Sequence, residues 1–264
     1  MSLLIWLGVF FFGAIIGSFL NVVVIRKNTG ESFVSGSSRC FSCGTPLRPW
    51  DMIPIVSFLV QKGRCRHCGS KISWQYPIVE LITAFLAVSV YAKVADNSFT
   101  LYPLPFTLFY FAAFSVLLAV ALYDIRQKII DTHFLLIFGG FAVVEAVLRW
   151  RVDIWSAPRD IASSFFIAFF FYCMWLVSRG RWMGRGDADI AFVLALFLGF
   201  PRSLGMLLLA FWIGGLVGSM LLLASRNRFT LKSEVPFGPF LALATFLLWY
   251  FSGYFDTLYQ IYFL

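Results

Sequence analysis

The sequence predicts an all-α polytopic membrane protein of about eight transmembrane helices, with one small zinc-ribbon-like module outside the bilayer. Three observations predict it. The composition is 60% hydrophobic and 19% aromatic with only 13% charged residues, against about 45–50% apolar and about 25% charged in soluble globular chains. Apolar runs of near membrane-spanning length recur from end to end. The one long stretch without such a run, Arg26 to Trp74, holds four of the five cysteines. The net charge of +8 is read as an excess of Lys and Arg on the cytoplasmic side. The basic residues sit in short loops beside apolar runs, so nucleic acid is not an expected partner; the lipid bilayer is.

The first run, Ser2–Ile25, carries no charge before Arg26. It has no basic start and no small-residue cleavage site after a short apolar core, so it reads as a retained helix and not a signal peptide. The remaining runs are Tyr76–Val94, Leu101–Tyr123, Phe134–Leu148, Ile161–Val177, Ile190–Phe200, Ser203–Ala224 and Phe237–Tyr250. The fourth and sixth are short for a span. In the seventh, Gly214, Gly215, Gly218 and Ser219 form a small-residue stripe suited to close helix approach. With the N-terminus outside, the inside segments are Arg26–Trp74, Asp124–Asp131, Ser178–Asp189 and Ser225–Pro236. They hold sixteen of the 21 Lys and Arg, the bias that orientation requires. Arg149, Arg151 and Arg159 are the main outside exceptions. Three parts follow: residues 1–25 as a first transmembrane helix, 26–74 as a cytoplasmic module, and 75–264 as the membrane core.

Cys40-Phe41-Ser42-Cys43 and Cys65-Arg66-His67-Cys68 are two knuckles with 21 residues between them. Four thiolates from two such turns make a tetrahedral soft site suited to zinc, near the usual ribbon spacing. A cytoplasmic location argues against disulfides, and a redox pair would not use two knuckles. Four protein ligands leave no open position, so the metal is structural. His67 is a weaker candidate ligand. Cys173, inside an apolar run, reads as a packed core thiol.

Threading the topology places Asp124 and Asp187 at the same membrane boundary. Asp187 follows Gly184 and Gly186, which allow close backbone approach. Two carboxylates held together in a poorly solvated place share a proton, the arrangement of aspartic proteolysis. The other reading is solvated ion pairing with Arg126, Arg185 or Lys128. For Asp131 and Asp189 ion pairing is favoured, and Asp131 also suits a helix N-cap. For Asp124 and Asp187 both readings stand on the residues alone.

Five blocks then carry a resemblance. They are Gly17-Ser18-Phe19-Leu20-Asn21-Val22-Val23-Val24-Ile25-Arg26; the doubled Cys-x2-Cys with Asp51-Met52-Ile53-Pro54-Ile55-Val56-Ser57 between; Ile72-Ser73-Trp74-Gln75-Tyr76-Pro77-Ile78-Val79-Glu80; Asp124 with Ile129-Ile130-Asp131; and Gly184-x-Gly186-Asp187 with Pro236-Phe237-Gly238-Pro239-Phe240. In this order they resemble the type IV prepilin peptidases over nearly the whole length. The resemblance implies an aspartic endopeptidase of the bacterial inner membrane, with Asp124 and Asp187 as the catalytic pair. It implies prepilins or pseudopilins as substrates, cut at the cytoplasmic face. The cysteine-bearing loop marks the bifunctional form, which methylates the new N-terminus with S-adenosylmethionine; no glycine-rich loop identifies residues that would hold that cofactor.

Two positions depart from the family pattern. Ile130 stands where Pro is usual, and Asp189 where Lys is usual. The second swap is expected to put a like charge beside the pair, favouring its protonation. Asp131 and Asp189 are also candidates to receive the basic leader of the substrate. Other Gly-x-Gly-Asp membrane proteases, of the presenilin and signal-peptide-peptidase kind, share the acid motifs but not the cysteine module or the Gly17–Asn21 block. A membrane transporter or scaffold would use the acids for ions.

Overall fold

A computed structural model describes residues 3–27, 29, 32, 38–96, 103–181, 183–224 and 235–263. Glu31 and the basic residues Arg226, Arg228 and Lys232 of the fourth inside segment lie outside the described residues. The chain divides into two compact units, Met1–Ser115 and Val116–Leu264.

The first unit contains α1 (Leu3–Arg26), a 3-10 turn (Pro49–Met52), α2 (Val56–Val60), α3 (Gln75–Ala95) and the first half of α4 (Pro103–Gln127). The pairing of α1 with α3 dominates it. Gly13 and Gly17, one turn apart, make that pairing close. A Cβ on Gly13 would lie 2.7 Å from Ala87 Cβ, and one on Gly17 would lie 2.8 Å from Glu80 Cα. In a bilayer small residues drive association by letting backbones touch. Buried Asn21 extends the seam: it donates to Tyr76 O at 3.3 Å and accepts from Gln75 Nε2 at 3.2 Å.

The second unit continues α4 into α5 (Thr132–Val152), α6 (Ser156–Ser178), α7 (Gly186–Leu198), α8 (Arg202–Ala224), α9 (Gly238–Tyr250) and α10 (Ser252–Phe263). Each helix end has a local cause. Asp131 caps α5, its carboxylate accepting from His133 N and Phe134 N. Gly199, at φ +71° and ψ 172°, ends α7 two residues before Pro201, a backbone that glycine adopts without steric cost. α7 packs on α5, α6, α8 and α9, so it is the central element of this unit.

All eight apolar runs become helices, and no strand occurs among the described residues. The expected count of about eight spans is met only roughly. Among the described residues six helices are long and apolar enough to cross a membrane, or seven if the bent pair α9–α10 is one span. α7 has 13 residues, about 20 Å, short of the roughly 30 Å hydrocarbon core. α9 and α10 are bent by 81° at a break on Phe251, directly before Ser252-Gly253, a pair of the kind found at helix kinks. The small-residue stripe of α8 is only partly used: a Cβ on Gly214 would touch Phe240 at 3.2 Å, whereas Gly215 and Gly218 face open space. The chain is a multi-pass membrane protein, by the length and apolarity of these helices.

Candidate active site and metal centre

α4 ends in the sequence Ala121-Leu122-Tyr123-Asp124, and the helix terminates within a turn of it because Lys128 takes a left-handed φ of +56°. Asp124 is therefore held at the last turn of a long helix, only 4% exposed. Its Oδ2 accepts from Gly238 N, the first residue of α9, at 3.1 Å. A Cβ on Gly238 would lie 2.6 Å from that oxygen. Only a glycine at this point lets the backbone reach the carboxylate so closely.

Asp187 lies in the first turn of α7 and is 8% exposed. Its Oδ2 accepts from Gly184 N at 2.9 Å. A carboxylate here also faces the positive end of the α7 dipole. Gly186 brings the start of α7 against the α4–α5 turn: a Cβ there would lie 3.3 Å from Ile130 Cβ. The two carboxylates are close enough for Asp124 to act electrostatically on Asp187. Among the described residues neither acid forms an ion pair, and no hydrogen bond engages either Oδ1. Arg126, Lys128 and Arg185 are all exposed. The ion-pairing reading of Asp124 and Asp187 finds no such contact.

The neighbouring acids are placed differently. Asp131 spends Oδ1 on capping α5. Asp189 is exposed, about 200° around α7 from Asp187 at about 100° per residue. The expectation that it loads the pair with a neighbouring charge is corrected by that geometry: helical periodicity turns it to the opposite face.

Sequence reading missed the far end of α7. Asp160, 1% exposed, accepts from Arg149 Nε at 2.9 Å, Trp150 Nε1 at 2.9 Å and Phe200 N at 2.8 Å. Arg149 also donates to Leu196 O and Phe197 O at 2.9 and 3.1 Å. A helix ending short of the membrane boundary leaves carbonyls that water does not reach; Arg149 satisfies them. The visible signal was a basic residue on the side where few belong.

The four module cysteines form one cluster. Each offers a sulfur, and the four sulfurs lie within 4.8 Å of one another; Cys40 and Cys68 Sγ are 3.9 Å apart. Sulfurs about 2.3 Å from a tetrahedral zinc are about 3.8 Å apart, so the cluster fits such an ion. The two knuckles are built alike. Cys40 N donates to Thr45 O and Gly44 N to Cys40 O; Cys65 N donates to Ser70 O and Gly69 N to Cys65 O. Gly44 and Gly69 both stand at φ +70°, which closes each loop and aims backbone N–H groups at the sulfur. Those of Cys43 and Ser42 lower the Cys40 thiol to about 6, and the Ser70 hydroxyl and N–H lower Cys68. His67 is exposed and outside the cluster. Cys173 is half-buried in α6.

Residues 11–94 match the bacterial peptidase A24 N-terminal domain, and residues 111–219 match the type IV leader peptidase family. A prepilin leader peptidase/N-methyltransferase of Bacillus subtilis (strain 168) is 31% identical over 242 residues, covering 90% of this chain and 91% of the relative. One of Aeromonas hydrophila is 31% identical over 270 residues, covering 91% and 89%. One of Pseudomonas putida is 28% identical over 255 residues, covering 88% and 85%. No solved structure gives a significant match. Matched over both units, and at 31% identity along most of its length, the chain belongs to the type IV leader peptidase family.

Proposed function

We propose that this protein is an aspartic endopeptidase of the bacterial inner membrane that removes the leader of type IV prepilins or pseudopilins at the cytoplasmic face and then methylates the new N-terminus. The observation that carries the peptidase reading is the pairing of two buried, mutually interacting carboxylates, each tied by one oxygen to a backbone N–H. With Oδ2 fixed, each Oδ1 is presented for chemistry. One carboxylate takes a proton from a water molecule, whose oxygen attacks the scissile carbonyl carbon. The partner, carrying the shared proton, donates to the carbonyl oxygen as it becomes negative. The tetrahedral intermediate collapses as the C–N bond breaks and the leaving nitrogen takes the proton gained from water. Asp124 and Asp187 are interchangeable in this scheme until one proton is located.

Residues 26–74 form the metal module in this reading and 75–264 the peptidase core. Cys40, Cys43, Cys65 and Cys68 hold a structural zinc, with no open coordination position. S-adenosylmethionine is the methyl donor in this reading, from the N-methyltransferase named among the relatives. The described residues present no built site for its purine, ribose or sulfonium, so no residue is assigned to it.

Membranes containing the protein, incubated with a prepilin, should convert it to a shorter product. Asp124→Asn and Asp187→Asn should each reduce the rate by about 10²–10⁴-fold, as expected for losing a general acid or base. Unchanged conversion in both variants would remove the dyad; no conversion by wild type would favour a transporter or scaffold. Mass spectrometry of the product N-terminus reads methylation in the same sample.

A further inference from the structure

We propose that residues 50–60 form a lipid-docking surface that seats in an anionic headgroup layer at the membrane face carrying the cysteine module. Ile55 N donates to Glu80 Oε2 at 2.7 Å, and Glu80 lies five residues into α3, about 7.5 Å along its axis. The Pro54–Ile55 corner thus reaches down beside a membrane-spanning helix, past its first turn. Pro54 is buried there, and Ile55 holds a φ of +64°, a conformation that a β-branched residue rarely adopts. The contact with Glu80 fixes a corner that local preferences oppose.

α2 leaves this corner at once and is two-faced. Phe58 is buried against Trp74, ring centroids 4.9 Å apart. Val56, Leu59 and Val60, spaced i, i+3 and i+4, line the other face. Leu59 and Val60 are 66% and 65% exposed, and Trp50 in the adjoining 3-10 turn is 71% exposed. Arg48 and Lys62 flank this segment in the chain, and Arg64 and Lys71 follow on a shared bridge; all four are exposed. Segment 26–74 carries eight basic and two acidic residues.

The occupant follows from charge and position. Exposed aliphatic and Trp side chains flanked by Lys and Arg match the interface between headgroups and acyl chains, and basic groups there are drawn to anionic lipid. The module is tethered at both ends to helices already in the bilayer, so that surface is always within reach. A second copy of the chain would bring like charges together.

The test uses the full-length protein in nanodiscs of phosphatidylcholine alone, or with phosphatidylglycerol, each doped with a phospholipid carrying a photoreactive acyl chain. Adducts are mapped by mass spectrometry. Residues 50–60 should be labelled about fivefold more with the anionic lipid. Leu59→Asp with Val60→Asp should lose those adducts while α1 and α3 keep theirs. Lys62→Glu with Arg64→Glu should abolish the lipid dependence. Equal labelling in both bilayers, or no adducts on 50–60 while α1 and α3 are labelled, would overturn the proposal. So would a photocrosslink joining two chains through α2.

Discussion

Gly238 is the residue on which Asp124 depends most directly. A methyl group there would lie 2.6 Å from Asp124 Oδ2, so Gly238→Ala must push the carboxylate off its N–H donor. Displacements near 1 Å at a reacting group can cost about 10²-fold in rate. We expect a loss of that order in leader cleavage, with thermal unfolding close to wild type because α9 itself is unimpaired. Gly184→Ala is the contrast: its Cβ would lie 3.5 Å from Asp187 Oδ2, ordinary contact, and its N–H is kept, so cleavage should stay within about threefold, since an unstrained methyl displaces nothing. Equal losses in the two variants would show that backbone support of Asp124 is not what matters. The acids were legible in the sequence because two apolar runs separate them and return the chain to the same boundary. The Gly238 donor was not, because a backbone N–H has no signature in residue type and reaches Asp124 from 114 positions away. Asp189 was misread for a related reason: adjacency in sequence says little about adjacency around a helix.

At the scale of elements, α7 is short for a span and is held from both ends. Asp187 begins it, and Arg149 with Asp160 closes it. Removing one member of a buried ion pair commonly costs about 3–5 kcal/mol, because the other charge is left without a partner. Asp160→Ala should therefore lower the unfolding temperature in detergent markedly. Arg149→Lys, which keeps the charge but loses the forked geometry, should retain Asp160 but not both α7 carbonyls and fall in between. An Asp160→Ala protein as stable as wild type would dismiss the latch. The cysteine module is the second element to test. Metal analysis should give one zinc per chain, and Cys43→Ser with Cys68→Ser should remove it and open residues 38–74 to proteolysis, since so small a module depends on its metal. Retained zinc or unchanged protection would contradict that role. Apolar length located eight helices but neither α10 nor every boundary. α10 escaped because Asp256, Gln260 and the Ser252-Gly253 break dilute its hydropathy. The Gly13/Gly17 seam was hidden because a uniformly apolar run gives no hint of which face meets a partner.

Across the whole molecule, the distribution of charge acquires a simpler form once partners are counted. Three of the basic residues on the expected outer side are matched by carboxylates: Arg149 by Asp160, Arg159 by Asp153 at 3.3 Å, and Arg202 by Asp256 through both its Nε and a terminal nitrogen. The orienting bias counts Lys and Arg and gives carboxylates little weight, so it rests on the sixteen of 21 basic residues in the inside segments. The orientation that follows puts Lys128 and Arg181 on the cytoplasmic side and Asp153 and Phe200 on the other. Reporter insertions at 128, 153, 181 and 200 in the full-length chain should read inside, outside, inside and outside. The pair at 128 and 181 is decisive, because it brackets α5 and α6, the two helices lying between Asp124 and Asp187. Opposite readings at those two positions would place the carboxylates on different faces of the membrane and break the dyad, whatever the activity of single variants. Matching cytoplasmic readings would leave both acids at the one membrane face that a proton-sharing pair requires.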